Sequence, residues 1–259
     1  MDTTKQNVDW SKHPEVATDR LVLYVRKALP APTMNSLKPL MLIEALSIPH
    51  SIHLIHSLQE ETWLHSVNPF KLLPAMEDVD LYTTGDGTTQ RRLNIFDSSA
   101  CLLYLADKYD TDRTWLGRGL TERTIVMSWV VAYAAGLGAT GEWWLKMRKP
   151  PANPDGLERM IDAIKVEYDV LEKRLSEPGQ RFVALHDRAS IADLAYMPLA
   201  NEKVAAAGGI DIAMWPRLKE WSERVAAIPA VRKAIWRNER LGLTREEIVA
   251  QGLAVGDEE

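Results

Sequence analysis

The chain has 259 residues, of which 46% are hydrophobic and 26% charged, with a formal net charge of −5. That length accommodates two domains of roughly 100–200 residues each, and the composition is that of an ordinary globular protein. An acidic balance with no long basic run argues against nucleic acid or an anionic membrane as a partner.

Residues 1–19 are polar and read as an extension, without the apolar run of a signal peptide. LVLYVRK (21–27) is short, apolar and β-branched, which predicts a buried strand. A Pro-rich loop, ALPAPTMNS, precedes the helical pattern LKPLMLIEAL. Proline is tolerated in the first helical turn, so Pro39 predicts a cap at Asn35 or Ser36. SIHLIHSL reads as a second strand and EETWLHSV as a helical turn. LPAMEDV and RRLNIF read as the third and fourth strands; in the long insertion between them, read as a loop, Asp86–Gly87 signals a hairpin tip. Asp97 then opens the helix SSACLLYLADKY. This β-α-β-α-β-β-α order predicts a thioredoxin-like α/β domain over 20–109.

Residues 110–119 read as a linker, and 120–240 as an all-α domain ending in a tail, 241–259. Its helices are expected over TERTIVMSWVVAYAAGLGATGEWWLKMRK, LERMIDAIKVEYDVLEKRL, IADLAYMPLANEKVAAAG, PRLKEWSERVAAI and AVRKAIWRNERL. Ser190 and Asp193 form an S-x-x-D helix start. No stretch approaches the roughly eighteen apolar residues of a membrane span. The single cysteine, Cys101, excludes an internal disulfide and fits a reducing, cytoplasmic compartment.

Taken together, NPFKLLPAMED, FDSSACLLYLADKY and the ASIADL helix start resemble the glutathione transferase family, over roughly residues 20–237. TMNSLK (33–38) is similar to the T-P-N-G-x-K segment of nu-class transferases and their fungal nitrogen-regulator relatives. The resemblance implies glutathione as co-substrate and a homodimer. It also implies a cis bond at Leu73–Pro74, with the Leu73 backbone pairing with the cysteinyl unit. Asp97 and Ser98 would hold the γ-glutamyl end, its ammonium by the carboxylate and its carboxylate by the helix N-terminus and hydroxyl. Capping alone also accounts for Asp-Ser at a helix start.

Gln59 stands where relatives meet the glycyl end. Leu72 replaces an Arg frequent in the fungal group, with Lys71 one place earlier on the opposite face. Thr33 and Asn35 match the thiol donors of the nu-type group, and Ser36 is a second candidate because Met34 and Ser36 replace the family's Pro and Gly. Half ionisation of a thiol at neutral pH needs about 1.5 units of pKa depression, or roughly 2 kcal/mol.

Three other features carry less chemistry. Tyr24 lies inside a strand, and Cys101 in an apolar helix reads as inert. His50, His53 and His56 do not share one strand face, so no metal is expected. An electrophile pocket is expected between the domains, with Trp129, Tyr133, Trp143, Trp144 and Met147 as its apolar candidates, although helical spacing also fits them to the core. The expected activity is thiolate attack on an apolar electrophile, or net cis–trans isomerisation by thiol addition and elimination, in a natural-product pathway. A glutathione-binding regulator and a disulfide reductase are the alternatives.

Overall fold

The structure is a computed structural model that describes residues 11–17, 19–28, 33–84, 87–148 and 153–254. Four strands, β1 (Leu21–Arg26), β2 (His50–Ile55), β3 (Ala75–Thr84) and β4 (Gly87–Phe96), form one sheet in the order β2-β1-β3-β4. β1 runs parallel to β2 and antiparallel to β3, and β3 is antiparallel to β4. Central β1 explains its own unbroken apolar sequence, because a strand covered on both faces has no solvent side to alternate with. Leu21, Leu23 and Val25 join the main core, while Val22 and Tyr24 join a smaller cluster with Trp63 on the opposite face.

Helix α1 (Met34–Ala45) begins earlier than its sequence predicts. Its cap is Thr33, and Pro39 sits inside it as the sixth helical residue. Residues 36–43 are all buried, so packing outweighs the hydrogen bond that the proline cannot make. The loop residues 29–32 lie outside the described residues. A short 3-10 turn follows at Thr62–Ser66.

Strands β3 and β4 form the hairpin whose tip the turn residues predict, and the flanks read as loop are paired as well, from Ala75↔Phe96 out to Thr84↔Gly87. These Thr-rich flanks are good strand formers, a signal overlooked beside the turn residues. Asp86 lies outside the described residues. Helix α2 (Ser98–Tyr109) is capped by Asp97, and the next segment is folded around Asp110, whose carboxylate accepts from the backbone N–H groups of Thr114, Trp115 and Leu116.

The expected long helix after this segment is two helices, α3 (Gly119–Ala135) and α4 (Leu137–Met147). The break is Gly136, at φ −105° and ψ −102°. A Cβ there would lie 2.4 Å from Glu167 Oε1, so a larger residue would displace that carboxylate. A window within 119–147 is apolar and long enough by length and composition to cross a membrane, but Gly136 divides that stretch between α3 and α4. Leu120 and Val131 on α3 are exposed, whereas Val126, Val130 and Tyr133 face the core.

Helix α5 (Pro154–Leu175) follows. The helix expected over 191–208 divides into α6 (Ile191–Tyr196) and α7 (Glu202–Ala207), with Pro198 between them. Helices α8 (Pro216–Ala226) and α9 (Pro229–Arg240) lie where expected. The region read as a tail holds α10 (Arg245–Ala250), opened by a reciprocal Thr244–Glu247 capping box, with Glu247 also paired to Lys27 at 2.7 Å. The acidic residues 255–259 lie outside the described residues. The main core is continuous from the sheet through α1 and α2 into the helices that follow.

Candidate functional site

Helix α1 stands between two cavities, and its own periodicity divides its side chains between them. Asn35 and Lys38 line the first, of about 290 Å³, while Met34 and Leu37 line the second, of about 730 Å³. Residues three apart share a helix face, so each pair presents one side of α1.

The first cavity is closed by the Leu73–Pro74 segment, the head of α2 at Asp97 and Ser98, and Tyr133 on α3. The Leu73–Pro74 peptide bond is cis. Its approach is fixed by Asn68, which is buried, donates from Nδ2 to Leu72 O at 2.8 Å and accepts from Phe70 N at 2.9 Å. This Asx-type turn is readable in Asn-Pro-Phe, although Asn68 was not singled out there. Asp97 has φ +71°, a left-handed conformation uncommon for a residue with a Cβ and often found where side chains are aimed at a ligand. Its Oδ1 accepts from the N–H groups of both Ser99 (2.8 Å) and Ala100 (3.1 Å). Capping therefore occupies one carboxylate oxygen.

The least expected residue is Lys38, which is 1% exposed. Its Nζ donates to Asn35 Oδ1 at 2.9 Å and to Ser98 Oγ at 3.1 Å, and lies 4.1 Å from the centre of the Tyr133 ring. Burial pushes its pKa down to about 7, opposed mainly by the charge of Asp97. In sequence Lys38 stands only as the last letter of TMNSLK; its burial depends on Tyr133, far along the chain. The Tyr133 hydroxyl is itself enclosed and meets no hydrogen-bond partner among the described residues, and burial raises its pKa.

Thr33 and Ser36 sit differently from Asn35. Thr33 Oγ1 donates to Ser36 Oγ at 2.6 Å, Ser36 is fully buried, and neither lines the cavity. Of the three candidate thiol donors, the structure brings Asn35 alone to the cavity wall. Leu72, Leu73, Pro74, Asp97 and Ser98 line it as well, whereas Gln59 and Lys71 do not. Gln59 is exposed, and Lys71 has a left-handed backbone at φ +52°.

The five proposed electrophile-pocket residues disperse. Tyr133 lines the first cavity. Trp144 belongs to the core, with its Nε1 donating to Gly208 O at 2.8 Å. Trp129 packs edge-on against Tyr196, Trp143 is 58% exposed and Met147 is half-buried. Among the described residues, the second cavity is walled by apolar side chains including Met34, Leu37, Leu145, Met197 and Ile235, together with charged ones such as Arg148, Glu202 and Glu239. Helical spacing identifies apolar positions and not which neighbour they meet. Tyr24 is buried and donates to Glu77, and Cys101 is buried with its thiol pKa raised by burial.

Residues 34–108, which carry α1, the cis proline and α2, match the model of the glutathione S-transferase N-terminal domain. The chain is 59% identical over 244 residues to the glutathione S-transferase tcpG of Claviceps purpurea, covering 94% of this chain and 98% of that one. It is 44% identical over 223 residues to the glutathione S-transferase sirG of Leptosphaeria maculans, covering 85% and 93%. The solved structure of Ure2p in complex with glutathione shares the fold, with a TM-score of 0.70 at 23% identity over 85% of this chain and 95% of that chain. The fold is thus a thioredoxin-like domain followed by helices, and the chain belongs to the glutathione S-transferase family.

Proposed function

We propose that the first cavity holds glutathione with its sulfur at the head of α1, and that the thiolate attacks an apolar electrophile in the second cavity. The observation that carries this reading is the position of α1, which presents Asn35 to one cavity and Met34 to the other. A thiol placed there lies beside a carboxamide donor and the positive end of a helix. One hydrogen bond from Asn35 to the charged form, worth about 1.5–3 kcal/mol, together with the helix end covers the roughly 2 kcal/mol that half ionisation at neutral pH demands.

Asp97 Oδ1 is occupied by capping, so Oδ2 is the oxygen that would pair with the γ-glutamyl ammonium. The Ser98 hydroxyl and the N-terminus of α2 would take the γ-glutamyl carboxylate. The backbone of Leu73 would pair with the cysteinyl unit. Gln59 and Lys71 have no part in this arrangement, and the glycyl end would lie toward the exposed rings of Phe70 and Phe96 at the cavity wall.

The apolar part of the second cavity's lining favours an apolar acceptor of some size, with its charged residues meeting any polar groups that acceptor carries. A role in tailoring a natural product is part of the proposal, supported by the fungal sources of both relatives. Net cis–trans isomerisation would use the same site: the thiolate adds to a conjugated alkene, the new single bond rotates, and elimination returns the thiolate. A homodimer is also proposed, supported by the exposed apolar side chains Leu120, Met127 and Val131 on α3. A cytoplasmic setting rests on the lone, buried cysteine.

Calorimetric titration with glutathione tests the clamp. Ser98→Ala is expected to weaken binding about tenfold, the loss of one hydrogen bond to a charged group. Unchanged affinity would remove Ser98 from the site. Tight binding by the wild-type chain without conjugation of any reactive aryl halide would favour the regulatory alternative.

A further inference from the structure

We infer that Lys38 is a positioning residue that aims the donors of Asn35 and Ser98 into the glutathione cavity. The inference rests on the proposed placement of glutathione and goes beyond it, because Lys38 need not touch the thiol at all.

The argument is one of donors and acceptors. A lysine ammonium offers three donors and no acceptor. Whatever atom meets Lys38 Nζ at hydrogen-bond distance must therefore accept. At 2.9 Å the Asn35 side chain turns its Oδ1 to the ammonium, which leaves the two N–H bonds of Nδ2 on the other side of the amide. At 3.1 Å Ser98 Oγ accepts as well, which frees the Ser98 hydroxyl proton for another acceptor. Asn35, Lys38 and Ser98 all line the same cavity. One buried cation thus orients two side chains so that both offer donors to an anion, one toward the sulfur and one toward the γ-glutamyl carboxylate.

An isolated asparagine amide has two nearly equal orientations, and the wrong one would face a thiolate with a carbonyl oxygen. Lys38 removes that ambiguity. The ammonium is held against rotation by the Tyr133 ring, 4.1 Å from its nitrogen, and by complete enclosure. Burial works against this charge and lowers its pKa, while Asp97 and an anionic ligand beside it favour the ammonium form on which the orientation depends.

The test follows the pKa of the bound glutathione thiol, by ultraviolet absorbance across a pH titration, in the full chain. Four proteins are compared: wild type, Lys38→Met, Asn35→Ala and the double variant. Lys38→Met is expected to raise the bound thiol pKa by about one unit, a tenfold loss of thiolate at neutral pH, and to weaken glutathione binding several-fold through Ser98. In the Asn35→Ala background the same substitution is expected to move the thiol pKa little, because the amide through which it acts is gone. Asn35→Asp retains the size of the side chain and the partner for Lys38 but has no N–H; it is expected to bind glutathione and lose the depressed thiol. The inference is overturned if Lys38→Met leaves the thiol pKa unchanged, if its effect is undiminished in Asn35→Ala, or if Asn35→Asp keeps the thiolate. A wild-type chain that binds no glutathione would overturn the placement of the ligand as well, which separates the two failures.

Discussion

Asn238, on α9, donates from Nδ2 to the backbone carbonyl of Thr33 at 3.3 Å, tying the helical half of the chain to the residue that caps α1. Among the described residues its Oδ1 is enclosed without a partner, and the residue forms part of the wall of the second cavity. The two halves of the amide have opposite consequences for stability: one bond gained and one buried acceptor left unsatisfied. Asn238→Leu is therefore expected to change unfolding free energy by less than about 1 kcal/mol. Turnover should suffer more than stability, because Thr33 loses the contact that locates it. A fall in kcat/KM of about tenfold, with near-normal urea unfolding, is the expected pair of results.

Asp193 is the most heavily used carboxylate in the helical half. Its Oδ1 accepts from Val183 N and Trp221 Nε1, both at 2.8 Å, and its Oδ2 from Ser190 N (2.8 Å) and Oγ (3.0 Å). Asp193→Ala leaves these buried donors unanswered and should destabilise the chain by at least about 3 kcal/mol, measured by denaturant unfolding. A loss below about 1 kcal/mol would mean that the network is not formed.

Gly208 packs flat against Trp144. Its backbone is ordinary, at φ −83°, but a Cβ would lie 1.6 Å from the indole Cζ2. Space, not conformation, requires glycine here. Gly208→Ala is expected to cost about 2–3 kcal/mol, and less when Trp144→Phe makes room beside it. Equal costs in both backgrounds would contradict the contact.

Lys38 also predicts a pH dependence. Its folded pKa is lowered to about 7 from the ordinary 10.5, so between these values the unfolded chain binds the proton more tightly. Stability should then rise with pH across this window. Above about pH 9 the buried Cys101 thiol, raised in the folded state, works in the opposite direction. Between pH 7 and 9 the wild-type denaturation midpoint is expected to increase, and Lys38→Met to lose that slope.

Local signals in the sequence proved readable. Asp97 before an apolar helical run, and Ser190 with Asp193 three places on, formed the caps that their spacing predicts. Thr244 and Glu247 carry the same spacing and mark α10, in a stretch read as tail because it lacks a strong apolar face. What sequence could not give was long-range. The Glu167 carboxylate packs on Gly136 from another helix, and the burial of Lys38 depends on Tyr133. A lysine in a helix reads as solvated unless its surroundings are known. The aromatic residues were legible as apolar but not as core or pocket, because Trp144 meets Gly208 only in the folded chain.

The most direct test of the account is a titration of the purified chain with glutathione, beside Asn35→Ala, following heat and thiolate absorbance at neutral pH. The account predicts that both proteins bind glutathione and that the wild type alone forms a thiolate band. A wild-type complex with no thiolate, or a band that persists in Asn35→Ala, would contradict it.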